Sequence, residues 1–164
     1  MTEDGKKQGQ LASVEFPLFF KAGSPDAVWG LGQGGFYYLD LLGKEFQYGG
    51  RGPDAYDCYG LMIECRRRLG LFIPENYAST DVPEAIQDCL EDAKRVFSFI
   101  EVPEPRPFCF AAFRINPRYT THIAMVLEDG VRFIHILPKL RVAVERLDSP
   151  VWAHRIMGYW EVNP

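Results

Sequence analysis

Apolar and polar positions alternate with two different periods along this chain, and the period changes near its middle. From residue 58 to 69, Leu61, Met62, Cys65 and Leu69 recur at helical spacing, with Asp57 in front as an N-cap and Gly70 behind as a stop. Pro83 at a first-turn position opens a second amphipathic helix to about Phe97, with Ile86, Leu90, Ala93 and Phe97 aligned. Residues 36–42 read as a short apolar helix closed by Gly43. Pro103, Pro105 and Pro107 then break the chain, and beyond them the pattern turns to strands at 108–114, 122–128, 131–137, 141–147 and 154–162. Glu128-Asp129-Gly130 supplies a hairpin turn. Helices followed by a meander of strands predict an α+β domain, with the helices packed on an antiparallel sheet of about five strands.

Length and composition narrow this reading only a little. A chain of 164 residues with 47% hydrophobic and 24% charged residues has the make-up of one globular domain with a real core. The domain is placed at 36–164. Residues 1–35, polar and Gly-rich around Phe16-Pro17-Leu18-Phe19-Phe20, read as an N-terminal arm or a short strand laid on the domain. A formal net charge of −4 without a basic stripe argues against nucleic acid as a partner, because phosphate neutralisation needs clustered Lys and Arg. Arg66-Arg67-Arg68 reads as a solvated helix end, suited to the dipole there.

No apolar run approaches the ~20 residues that span a bilayer, and the first residues lead into no long apolar stretch. The product is therefore expected to stay in the cytoplasm that makes it unless another machine exports it. Cys58, Cys65, Cys89 and Cys109 show no CxxC pairing, so free thiols are expected and neither a metal nor another cofactor is.

The chemistry gathers at Cys58. It follows a Gly-rich loop and a capping Asp, which puts it in a helix's first turn, where free N–H groups and the dipole favour a thiolate. Such a site is expected to lower a thiol pKa from its ordinary ~8.5 by one or more units. Gly60 removes a side chain near the sulfur and leaves room for a substrate backbone. The other three cysteines read as small buried hydrophobes.

His122 opens a strand in which alternation puts His122, Ala124 and Val126 on one face and Ile123, Met125 and Leu127 on the other. Across the turn, position 122 pairs near 136 or 137, which sets His135 beside or diagonal to His122 on the same face. A thiol, a base and a group orienting that base is the general arrangement of nucleophilic catalysis. The same pair also fits two satisfied strand histidines. His154 reads as a surface or structural residue. Arg51 and Asp54 either bind substrate charges or shape the turn, with Asp54 making an Asx-type bond. Tyr48, Tyr56 and Tyr59 either line a groove or pack.

Gly43-Lys44, Tyr48-Gly49-Gly50, Asp57-Cys58-Tyr59-Gly60-Leu61, Thr121-His122-Ile123-Ala124 and Phe133-Ile134-His135 fall in the order and spacing of the NlpC-type papain-like cell-wall cysteine peptidases. The resemblance runs from about residue 36 to the end. Tyrosine after the cysteine, where many members have serine, and the ending from Val144 to Trp160 resemble the branch found in bacteriophage and prophage tails. The resemblance implies a papain-like α+β fold with Cys58 as nucleophile, His122 as base and His135 as the third polar residue. It implies hydrolysis of peptidoglycan stem peptides, commonly between D-glutamate and a diamino acid, and phage tail proteins as partners during local wall opening. Tyr48, Arg51, Asp57 and Tyr59 are the candidates for substrate or oxyanion contacts. Phe46 stands where many members carry a tyrosine twelve residues before the cysteine, and Tyr48, two residues on, substitutes for it if both lie on one strand. Pro107-Phe108 replaces a Gly-Asp pair common in the family. The alternatives are a tail-tip assembly protein that keeps the fold with little activity, and a thiol amidase or acyltransferase on the same scaffold.

Overall fold

The computed structural model describes residues 36–71, 80–96 and 98–162. The expected arm at 1–35 and the helical position Phe97 lie outside the described residues. Two short parallel strands, β1 (Glu45–Phe46) and β2 (Ala55–Tyr56), precede helix α1 (Cys58–Arg68) and helix α2 (Pro83–Val96). Six strands follow: β3 (Phe99–Val102), β4 (Phe110–Phe113), β5 (His122–Val126), β6 (Arg132–His135), β7 (Ala143–Arg146) and β8 (Ile156–Val162), with a 3₁₀ turn at Ala153–Arg155 before the last. They form one antiparallel sheet in the order β3-β8-β4-β5-β6-β7. The α+β architecture is the expected one, with a sixth strand, β3, that pattern reading does not find.

The sheet is covered on both faces, which is why β4 and β5 are buried along their whole length. Helix α1 packs against one face through Leu61, Met62 and Cys65, meeting Phe110, Ile123, Met125, Ile134 and Ile136. The opposite face of the same strands carries Phe113, Ala124, Val126 and Phe133 and is closed by Leu147 and Trp152. Period-2 alternation along β5 thus sorts its side chains between two cores, as its sequence implies.

Helix α1 is hemmed in nearly all round: Tyr59 to Arg66 are buried, two charged residues included. The basic end is accordingly only partly solvated, with Arg67 exposed, Arg68 half-buried and Arg66 buried. Arg66 is buried with its guanidinium 5.2 Å from the centre of the Phe110 ring, and burial lowers its pKa to about 10. Glu64 accepts from Arg67 and Arg68, and Arg68 also reaches Asp40 and the Tyr37 carbonyl. These contacts tie the helix to residues 37–40. That segment is a turn rather than the expected helix. Leu41 donates to Tyr38 and Leu42 to Leu39, and Gly43 then takes φ +79° and donates to Val142 across the fold, ending the run before a helix can propagate.

The Asp129-Gly130 turn forms as read. Asp129 accepts from the Val131 and Arg132 amides, and Gly130 has φ +67°. Among the described residues no helix is long and apolar enough to cross a membrane.

Candidate active site

Asp57 builds the front of the site. Its backbone is extended, and its carboxylate accepts from the amides of Gly60 at 2.6 Å and Gly49 at 3.0 Å and from Arg51 Nη1 at 2.8 Å. One buried side chain therefore caps α1 and pins the glycine loop beside it. Arg51 also donates to the Gly50 carbonyl and lies 5.9 Å from the Tyr59 ring. That carbonyl fills the space that Gly60 leaves: a Cβ at position 60 would sit 1.9 Å from the Gly50 oxygen. The missing side chain serves the protein's own loop, not a substrate backbone.

Cys58 is the first helical residue and is half-buried. Main-chain N–H groups of Ile123, Tyr59 and Cys58 itself act on the sulfur and favour its ionised form. They do not prevail. Desolvation, joined by the Asp57 carboxylate, pushes the thiol up to about 11. This corrects the expected depression: the cap that opens the helix is an anion, and tertiary packing removes the water that would solvate a thiolate.

The histidines meet as the hairpin register dictates. Met125 pairs with Ile134 and Val126 with Phe133, so His135 lies on the His122 face one diagonal step away. His122 Nε2 lies 3.1 Å from His135 Nδ1, and both residues are buried. Phe133 and Trp152 flank the His135 ring at 4.9 and 4.8 Å, and Phe113 packs on His122 at 5.7 Å. Burial holds His135 at about 4 and His122 well below its ordinary value, with His135 adding to the shift in His122. Both imidazoles are neutral near pH 7. His135 engages Nε2 of His122, so Nδ1 is the ring nitrogen that His135 does not take.

Cys58 and His122 line one cleft of about 90 Å³, together with Phe46, Tyr48, Arg51 and Tyr59. No direct hydrogen bond joins the two among the described residues. Tyr48 does not share a strand face with Phe46, because β1 ends at Phe46 and Tyr48 sits in the following turn. It reaches the cleft instead by packing edge-on against the Phe46 ring at 4.9 Å. Tyr59 is buried and Tyr48 half exposed. Asp57 has its carboxylate committed to three donors, which leaves it a scaffold role. Asp54 is exposed in the loop, and His154 Nδ1 lies 2.9 Å from the Pro150 carbonyl, away from the cleft.

Cys65 and Cys109 are buried as expected, whereas Cys89 is half-buried and lines the cleft with Ile86 and Leu90 of α2. Trp152 is not legible as a site residue, since its edge-on contact with His135 joins positions distant in the chain and leaves no local signal. No group of three or more His, Cys, Asp or Glu side chains is placed to hold a metal among the described residues.

Comparison with known proteins bears on these features. The model of the NlpC/P60 family matches residues 43–161, a span that takes in the thiol, both histidines and all of the sheet but Val162. Among solved structures, the chain is similar to a lipoprotein-like NLP/P60 family protein from Staphylococcus aureus subsp. aureus Mu50, with a TM-score of 0.52 at 23% identity over 77% of this chain and 39% of that one. It is also similar to NlpC2 from Trichomonas vaginalis, with a TM-score of 0.52 at 22% identity over 74% of this chain and 43% of that one. NlpC1 from the same organism gives 0.52 at 24% identity over 74% and 41%. The chain thus spans about two fifths of the length of these structures, and the likeness speaks to fold. A search of curated proteins finds no match.

Proposed function

The chain belongs to the NlpC/P60 family, and on that premise we propose that it is a cysteine peptidase that hydrolyses the stem peptides of peptidoglycan. The observation that carries the reading is the shared cleft of Cys58 and His122, with the far nitrogen of His122 held by His135. The family, whose members are usually cysteine peptidases, supports the reaction class.

The reaction is acyl transfer to sulfur and then to water. The resting pair is a neutral thiol and a neutral imidazole, so proton transfer and attack are coupled. His122 Nδ1 takes the Cys58 proton as Sγ bonds to the amide carbonyl carbon, and helix-start N–H groups receive the oxyanion. For this the proton on His122 must sit on Nε2 and be donated to His135 Nδ1, which a neutral His135 accepts. The imidazolium that forms then protonates the leaving amine. Water, deprotonated by the same nitrogen, cleaves the thioester and regenerates the thiol. His135 is a positioning residue in this scheme.

The bond cut is assigned to the D-glutamyl–diamino acid linkage. The working place is assigned to a bacteriophage tail, loaded from the cytoplasm of the bacterium that makes it. Tyr59 after the nucleophile and the segment from Val144 to Trp160 support that placement. A second reading, a tail-tip assembly protein of low activity, is favoured by Phe46 and by a thiol held near 11. Digestion of purified muropeptides by the wild-type chain and by Cys58→Ala separates them. New amino termini that vanish in the variant support the peptidase. No cleavage at high wild-type concentration supports the assembly protein.

A further inference from the structure

A second cavity, of about 480 Å³, opens on the other side of the Arg51 side chain. Its volume falls within the ~300–1,000 Å³ of small-molecule sites, whereas the thiol cleft holds about 90 Å³. Its walls carry Lys44, Arg51, Arg67 and Arg68 against two carboxylates, Asp40 and Glu64. Arg68 spans both carboxylates, and Arg51 is matched by Asp57 from outside the cavity. Two cations keep spare capacity. Lys44 forms no ion pair among the described residues. Arg67, 69% exposed, gives Nε and Nη2 to Glu64 and keeps Nη1. In a chain whose formal net charge is −4, this is a local positive excess inside a concavity.

We infer that this cavity is an anion subsite, built to take a carboxylate of the peptide whose amide bond lies at Cys58. The inference rests on the hydrolase reading and extends it to a part of the substrate that does not react. Arg51 is the wall common to both spaces, so a peptide passing over it has its amide at the sulfur and an acidic end between Lys44 and Arg67. The thiol cleft could not take that charge: its two charged residues, Arg51 and Asp57, are paired with each other, and most of the rest of its lining is apolar. Binding energy gained away from the scissile bond then fixes the register of the substrate.

The test titrates the full chain with a stem tripeptide, once with its carboxyl groups free and once with them amidated, following backbone NMR signals of Lys44, Gly52 and Arg67. The free acid is expected to shift these signals and the amide to leave them in place. Lys44→Gln with Arg67→Gln should weaken the free acid roughly tenfold, and Lys44→Arg should restore most of it. Raised salt should narrow the acid–amide difference. Equal response to acid and amide, no shift at these residues, or no weakening in the double variant overturns the subsite. Cleavage of the same peptides is scored separately. A wild-type chain that binds the acid at this cavity without cutting it keeps the subsite and removes the hydrolase. One that cuts acid and amide alike, with no shift at these residues, does the reverse.

Discussion

Asp57 holds the helix that presents Cys58 and at the same time opposes ionisation of its sulfur. The carboxylate accepts from Gly60, Gly49 and Arg51, and its negative charge is the second cause, after burial, of a thiol pushed up to about 11. One residue sets both the geometry and the electrostatics of the Cys58 thiol, and the two effects have opposite sign for its reactivity.

Asp57→Asn separates them. Asparagine still caps a helix, so the fold should lose only about 1–2 kcal/mol, chiefly the charge-assisted bond to Arg51. The thiol should ionise more readily, and each unit of pKa lost raises the thiolate fraction about tenfold at neutral pH. Iodoacetamide labelling of residue 58 at pH 7 measures this. A slower rate in the variant would mean that the cap's geometry outweighs its charge.

In the wild-type chain the same labelling should climb steadily with pH through 9 and 10 towards the Cys58 pKa of about 11, instead of levelling off near neutrality. A plateau below pH 7 would instead reveal a stable thiolate–imidazolium pair and contradict the coupled proton transfer proposed above.

Acid should weaken the fold through the histidine pair. Folded His135 titrates at about 4 against an ordinary 6.5, so between those values the unfolded chain takes up a proton that the folded one refuses. Stability present above pH 6.5 is therefore lost as pH falls towards 4, by roughly 3 kcal/mol from this residue. Denaturant midpoints across that range should fall less steeply in His135→Asn than in the wild type; identical slopes would exclude His135 as a source.

Gly60→Ala should cost about 3 kcal/mol or more, because the added carbon meets the Gly50 carbonyl at 1.9 Å and backbone cannot swing away as a side chain would. Thermal unfolding reads the loss. A near-normal Tm would mean that the loop carrying Arg51 is free to shift, and with it the wall between the two cavities.

The parts of this molecule that depend on short-range order are visible in its sequence. The cap and stop of α1, the period-2 strand of His122 and the Asp129-Gly130 turn together place His135 beside His122, because hairpin register follows from the turn. What sequence misses is set by distant packing. Strand β3 has no alternation to find, with Phe99 and Val102 turned inward and two exposed residues between them. Two-residue strands such as β1 and β2 are too short to show a period. Arg66 looks like a charged helix end until Phe110 is laid beneath it. The Cys58 thiol follows the same logic: a dipole argument uses neighbours in sequence, but desolvation comes from the fold as a whole.

The position of β8 bears on how the protein is made. Strands β3 and β4 are consecutive in the chain, yet each pairs with β8, which lies between them. Before residues 150–162 dock, the thiol, both histidines and every other strand named above can be in place, but the sheet is split and His135 lacks Trp152. Such a long-range closure is slow to form. The surroundings of the histidine pair are therefore completed only when this segment docks, and the aromatic cover on His135 arrives with it.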